Sequence, residues 1–175
     1  MRYMRSKTRR ALGLVLLVGG VTLAALAGTS AFAAGGSTTA NANVNNTLSL
    51  TGLTSSFSLT GDPSTTATQT GAVSMNVTTN NRTGYSLKVQ AASANMAGAA
   101  TGNTDTIPVS AMSAKDSAAG TYNALSNTSA ATLKTTSAKT SNSGDNLSDD
   151  YKLDIPFVNA DTYSVTLNYT ATANP

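Results

Sequence analysis

The sequence predicts an all-β protein, a single antiparallel β-sandwich that follows a cleaved signal peptide. From residue 47 onward, apolar side chains recur at every second position in several short runs, which is the pattern of half-buried strands. Clusters of Asn, Gly, Asp and Pro separate these runs, and no stretch shows a competing helical period. We therefore expect a signal peptide over residues 1–33, a flexible segment over 34–46 and the sandwich over 47–175.

The first 33 residues have the three-part layout of a secretory signal peptide. Five basic residues precede position 11, an uncharged and mostly apolar run extends to about Ala27, and Ala31-Phe32-Ala33 supplies a small-x-small cleavage site. The alternative is an uncleaved membrane anchor, but the apolar run is near the lower length limit for a spanning helix and contains several Gly and Thr. Cleavage after Ala33 is therefore expected, which leaves a secreted chain without a membrane span.

Composition argues against several classes of function. After removal of residues 1–33, six basic and eight acidic side chains remain, a net charge of −2, so no nucleic-acid partner is expected. The sequence contains no His, Cys, Trp or Glu, which removes the commonest metal ligands and the usual catalytic base. We expect no metal, no other cofactor and no enzymatic activity. The alternative is a catalytic group formed by the dense set Asp145, Asp149, Asp150 and Asp154.

A β-hairpin is the clearest element of the first half of the chain. Apolar and polar residues alternate over 73–77 and again over 85–89. Residues 80–84, NNRTG, lie between the two runs and are typical of a hairpin loop. Shorter apolar pairs at 48–50 and 57–59 predict two further strands ahead of this hairpin.

The middle of the chain, residues 91–147, carries weaker signals because small polar residues dominate it. One or two short strands are expected around 105–110 and 130–135, joined by long polar loops. Residues 112–119 suit a helical turn, which Gly120 would end. Residues 141–150, SNSGDNLSDD, are expected to form a solvated loop, because their spacing does not match a calcium-binding loop.

Two alternating runs, residues 151–157 and 163–171, predict a final pair of strands. Pro156 cannot donate to a backbone ladder, so the first of these strands is expected at a sheet edge or with a bulge. The second is expected to be the longest regular strand of the protein.

Two stretches resemble the WxL family of Gram-positive surface proteins. Residues 73–93, VSMNVTTNNRTGYSLKVQAAS, are similar to the strand–turn–strand unit of that family, and residues 151–175, YKLDIPFVNADTYSVTLNYTATANP, are similar to its C-terminus. Tyr85-Ser86-Leu87 stands where the signature Trp-x-Leu would be, with Tyr in place of Trp. The resemblance implies an Ig-like or WxL-like sandwich that is held non-covalently on the cell wall, generally through peptidoglycan.

The candidate wall-binding residues that follow from this resemblance are Tyr85, Leu87, Tyr163 and Tyr169. A Tyr ring can stack on a sugar while burying its other face. All four residues are also in phase with the apolar face of their predicted strands, which favours core packing over direct glycan contact.

The functional prediction is a secreted, non-catalytic surface protein, extracellular and associated with the cell wall. Its expected partners are wall glycan, peptidoglycan or other surface proteins. The alternative is a self-assembling, pilin-like or coat-like fibre subunit. In that alternative the N-terminal segment would donate a strand to the next copy and make a homo-oligomer.

Overall fold

A computed structural model describes residues 33–118 and 120–175. The predicted signal peptide, apart from its last residue, lies outside the described residues. The described residues divide into two units, 33–41 and 42–175. Residues 33–41 are exposed and carry no regular secondary structure.

The described residues of the second unit form eleven β-strands and one 3-10 turn, and no α-helix occurs in residues 33–118 or 120–175. The strands are β1 (Leu48–Thr51), β2 (Thr66–Thr79), β3 (Tyr85–Ala91), β4 (Asn95–Gly98), β5 (Thr106–Pro108), β6 (Met112–Asp116), β7 (Asn123–Ala124), β8 (Ala131–Thr135), β9 (Asp145–Asp154), β10 (Tyr163–Ser164) and β11 (Leu167–Ala173). The 3-10 turn, Val109–Ala111, lies between β5 and β6.

The first layer is a five-stranded antiparallel sheet with the order β1-β2-β9-β6-β7. Its central strand, β9, pairs with β2 on one side and with β6 on the other. The β2–β9 register shifts between Gln69 and Val73, where Gly71 has a positive φ of 58°. This bulge bends β2, since one extra stretch of backbone has to fit against the partner strand.

The second layer consists of two three-stranded antiparallel sheets, β11-β3-β8 and β10-β4-β5. The chain crosses between these two sheets twice. It leaves the first sheet after β3 to form β4 of the second, and it returns from β10 of the second to β11 of the first. At the edges of the five-stranded sheet, β1 contacts β11 and β7 contacts β8. This arrangement confirms the prediction of an all-β, antiparallel sandwich.

The core lies between the layers and comes from the inward positions of the alternating strands. Among its largest fully buried side chains are Val77 of β2, Tyr85 and Leu87 of β3, and Tyr151 of β9. The predicted hairpin of residues 73–89 is confirmed, since the polar turn joins β2 to β3. Gly84 in that turn has φ of 78°, a conformation that glycine adopts without steric cost.

Several predicted elements of the middle and C-terminal regions are corrected by the structure. The strands expected near 105–110 and 130–135 are present as β5 and β8. Residues 112–116 form β6 instead of a helical turn, because two of their three inward positions, Ala114 and Asp116, are small or polar and hide the alternation. Residues 145–150 belong to β9 and not to a loop, and residues 57–59 form no strand.

The C-terminal strands also differ from the prediction. Pro156 lies beyond the end of β9, and β9 is central instead of being an edge strand. The run 163–171, predicted as the longest regular strand, divides into β10 and β11, which pair with different strands. The prediction is therefore wrong, and another strand is the longest of those described. That strand is β2, with 14 residues.

Candidate functional site

A cleft of about 790 Å³ opens into one side of the sandwich. One wall is the irregular segment 53–63 and the other is the segment 158–167, which includes β10. The floor reaches core side chains of both layers, among them Val73 of β2, Leu153 of β9 and Met96 of β4. A cleft of this size is large enough for a ligand of several hundred daltons.

The lining combines apolar side chains with hydrogen-bonding groups. Phe57 and Leu59 from one wall and Val165 from the other are each partly buried against the core. Ser and Thr residues occupy the alternate positions of both walls. Among the described residues, the lining also holds two carboxylates, Asp62 and Asp161, and no basic side chain. Such a surface offers apolar contact together with hydroxyl and carboxylate groups, which suits a polar ligand that carries hydroxyl groups.

A hydrogen-bonded network fixes the wall that contains β10. The side-chain amide of Asn103 donates to the Asp161 carboxylate at 2.6 Å and to the Tyr163 hydroxyl at 3.1 Å. The same hydroxyl donates to the carbonyl oxygen of Asn159 at 2.9 Å. Donation from Asn103 and from the backbone N–H of Ala100 holds the pKa of Asp161 below its usual range.

An exposed aromatic ring lies directly before this wall. The Phe157 side chain is 89% exposed, although Phe is usually buried. Its chain neighbour Val158 lines the cleft and packs against the core. The ring therefore presents a large apolar surface to solvent beside a residue of the candidate site.

The structure separates the four residues that the sequence singled out. Tyr85 and Leu87 are fully buried in the core, so they have no surface to offer a glycan, and direct wall contact through them is dropped. Burial, followed by the hydrogen bond from its hydroxyl to Asp145, raises the pKa of Tyr85. Tyr163 and Tyr169 are partly exposed and both line the cleft.

Of these two tyrosines, Tyr163 is the better candidate for ligand contact. The Tyr169 hydroxyl lies 2.6 Å from that of Tyr151, which is fully buried. The partners of the Tyr163 hydroxyl, Asn103 and Asn159, are instead at least partly exposed on the cleft wall. The ring of Tyr151 in turn contacts Phe57, with centroids 4.5 Å apart and planes tilted by 42°. No sequence pattern points to Phe157, Asn103 or Asp161, because their positions depend on loops that converge only in three dimensions.

Two adjacent carboxylates of β9 face opposite sides of the sheet and have opposite environments. Asp150 accepts hydrogen bonds from the Ser117 hydroxyl and from the Gly71 N–H of the β2 bulge, and Lys115 Nζ lies 3.1 Å from its other oxygen. The Ser117 bond is the main cause of a lowered pKa at Asp150. This carboxylate therefore ties β9 to the bulge and to the end of β6.

Asp149 points into the sandwich and is only 1% exposed. Among the described residues, its Oδ2 atom has no hydrogen-bond partner. Burial raises the pKa of this carboxyl to about 7, and a hydrogen bond with Tyr169 only partly opposes the effect. The residue opposite Asp149 on β6 is Asp116. Asp116 forms an ion pair with Lys134, whose Nζ lies 2.9 Å from its carboxylate.

These acidic residues do not assemble into the catalytic group that was considered from the sequence. Asp149 faces the interior and Asp150 faces the other side, while Asp145 is bonded to the Tyr85 hydroxyl. Within residues 33–118 and 120–175, no group of three or more His, Cys, Asp or Glu side chains is arranged to hold a metal ion. Over the same residues, no helix has the length and apolar character needed to cross a membrane.

Comparison with known proteins yields no family model and no curated protein that matches this sequence.

Proposed function

We propose that this protein is a secreted, non-catalytic surface module that associates non-covalently with the bacterial cell wall through the cleft and the adjacent Phe157. The observation that carries the proposal is a hydroxyl-rich cleft, with two carboxylates in its lining, and a solvent-exposed aromatic ring on the residue next to Val158 of its wall. Glycan strands present both apolar ring faces and hydroxyl groups. Wall glycan, as in peptidoglycan, therefore matches this chemistry, and the predicted leader and the WxL resemblance are consistent with it.

Phe157 takes the role that the sequence assigned to Tyr85. An aromatic residue contributes to sugar binding when one face of its ring is free to stack, and Phe157 meets this condition while Tyr85 does not. Tyr163, held by Asn103 and Asn159, would contribute from the cleft wall. Pre-positioned groups lose less conformational entropy on binding, which supports a role for this ordered wall.

Fractionation of the producing cells tests the proposal. The protein should be found in the wall fraction without its leader, and a concentrated chaotropic salt such as guanidinium chloride should release it without hydrolysis of the wall. Recovery only in the cytoplasm, or in membranes with the leader intact, would contradict the proposal. Release only by wall hydrolases would contradict non-covalent attachment.

A self-assembling, pilin-like or coat-like fibre subunit is the second candidate. It is favoured by one feature, the N-terminal arm of residues 42–60, which is joined to β2 by a short turn and makes no backbone hydrogen bond over its described residues 55–60.

A further inference from the structure

The N-terminal arm, residues 42–60, is attached to the sandwich along the outer edge of β2. Its strand β1 pairs antiparallel with residues 76–79. Ahead of β1, the side chain of Asn80 accepts from the Thr47 N–H at 2.7 Å and donates to the Asn45 carbonyl oxygen at 2.8 Å. After β1, the Thr54 N–H donates to the Ser74 carbonyl oxygen at 3.0 Å. All of these hydrogen bonds are made with β2 or with Asn80, the residue that follows it.

Beyond Thr54 the arm is held by side chains alone. Within the described residues, no backbone hydrogen bond joins residues 55–60 to the rest of the chain. Phe57 and Leu59 instead pack against the core, with Phe57 against the ring of Tyr151. The segment alternates apolar and polar residues as a strand would, yet it pairs with no strand. Residues 55–60 therefore contribute side chains to the core but belong to no sheet.

A strained turn connects the arm to β2. In Asp62-Pro63-Ser64-Thr65, the Thr65 N–H donates to the Asp62 carbonyl oxygen at 3.2 Å, and Ser64 has φ of 63°. Pro followed by a residue with positive φ is the pattern of a type II turn, which favours Gly or Asn at the second of these positions. Ser64 is the one residue other than glycine with positive φ among those described. The closed arrangement therefore stores strain at the pivot of the arm.

We propose that this arm exchanges between copies of the chain, so that residues 42–60 of one molecule occupy the arm site of a second. The exchanged arm would make the same contacts with β2 and Tyr151 that it makes within one molecule. Because the arm includes the N-terminal end of the domain, it can move without threading through a loop. Opening of the turn relieves the conformation of Ser64, and strained hinges of this kind favour exchange.

This inference goes beyond wall binding and gives the fibre candidate a physical mechanism. Reciprocal exchange between two copies closes a dimer, whereas donation from each copy to the next makes an open chain. In both cases the cleft is rebuilt from two molecules, because the arm supplies the 53–60 part of its wall.

Cysteine pairing across the arm site tests the proposal directly. The sequence has no Cys, and the hydroxyl oxygens of Thr54 and Ser74 lie 3.1 Å apart. Chains that carry Thr54→Cys and Ser74→Cys separately, with different tags and expressed with their own leader, are mixed at high concentration after export. They are then oxidised and resolved on a non-reducing gel. Exchange predicts a mixed disulfide between the two tags that increases with concentration and incubation time.

Two controls keep the result interpretable. The double variant Thr54→Cys/Ser74→Cys should form a disulfide within one chain when dilute, which shows that the site folds. Separate Ser113→Cys and Ala124→Cys chains, paired across β6 and β7 outside the arm, give the background of collisional disulfides. If the double variant closes but the arm pair never exceeds this background, the proposal is wrong.

A hinge variant tests the role of strain. Ser64→Gly relieves the left-handed conformation in the closed form and should lower the exchanged fraction about fivefold. An unchanged or larger fraction would contradict the assignment of this turn as the pivot. Wall binding without exchange would support the proposed function and contradict arm exchange. Exchange without wall binding would support arm exchange and contradict the proposed function.

Discussion

Replacement of Asp149 by Asn should stabilise the protein at pH 8 and destabilise it near pH 4, where only the cost of burying the amide, about 1–3 kcal/mol, remains. In the folded protein, burial raises the pKa of this carboxyl from 3.8 to about 7. The neutral acid is therefore the form that the fold favours. Its contribution to stability is complete below the unfolded pKa and is lost as the pH rises through the folded value.

The magnitude follows from the same two pKa values. Each pH unit between them is worth about 1.4 kcal/mol, so the unfavourable contribution of ionised Asp149 reaches about 4 kcal/mol above pH 7. An Asn side chain avoids this ionisation but brings an amide N–H₂ that needs partners, which costs about 1–3 kcal/mol when it finds none. The net gain at pH 8 should therefore be about 1–3 kcal/mol.

Urea unfolding of both proteins at pH 4, 6 and 8 measures this effect. The difference in free energy of unfolding between Asp149→Asn and wild type should grow from pH 4 to pH 8. Asp150→Asn is the matched control, because its pKa is lowered and its carboxylate is bonded to Ser117, Gly71 and Lys115. That variant should lose about 2 kcal/mol at neutral pH and approach wild type in acid. Parallel pH profiles for wild type and Asp149→Asn would refute the reasoning.

Two further predictions concern stability. Gly84→Ala should cost about 3 kcal/mol or more, because its φ is 78° and the added Cβ would lie 2.6 Å from the Thr136 carbonyl oxygen. Gly102→Ala, with φ of 84° but open space around it, should cost about 1 kcal/mol, and equal losses in thermal unfolding would contradict the steric account. Tyr169→Phe should cost about 1–2 kcal/mol, because it leaves the buried Tyr151 hydroxyl without its 2.6 Å partner. Denaturant unfolding of Tyr169→Phe checks this, and a loss below about 0.5 kcal/mol would show that the Tyr151 hydroxyl finds another partner.

The sequence predicts the fold best where strand alternation is made of large apolar residues. The hairpin from Val73 to Val89 has large side chains at nearly every inward position, and a polar turn fixes its connection. β6 and β9 were missed in whole or in part because Asp116 and Asp149 occupy inward positions. A buried carboxylate has the same sequence signature as a solvated one. The burial of Asp116 depends on Lys134, and that of Asp149 on Tyr169, both from the opposite layer.

The candidate site was less predictable than the fold. Phe57 and Leu59 gave the pattern of a strand, yet they pack against the core without pairing, since β2 is bonded to the arm only up to Ser74. Phe157 sits in phase with the buried residues of β9, but the strand ends at Asp154 and the ring turns out to solvent. Both outcomes depend on where chain segments leave the sheet, which short-range periodicity does not contain.

Co-sedimentation with purified peptidoglycan tests the central claim most directly. Wild-type protein should sediment with the wall material, and Phe157→Ala should bind about tenfold more weakly, since a stacked aromatic contact is worth about 1–1.5 kcal/mol. Val44→Ala is the matched control, because Val44 is also strongly exposed, at 84%, but lies in the arm before β1. Its affinity should equal that of wild type. Failure of the wild-type protein to sediment, or equal binding by Phe157→Ala, would contradict the account.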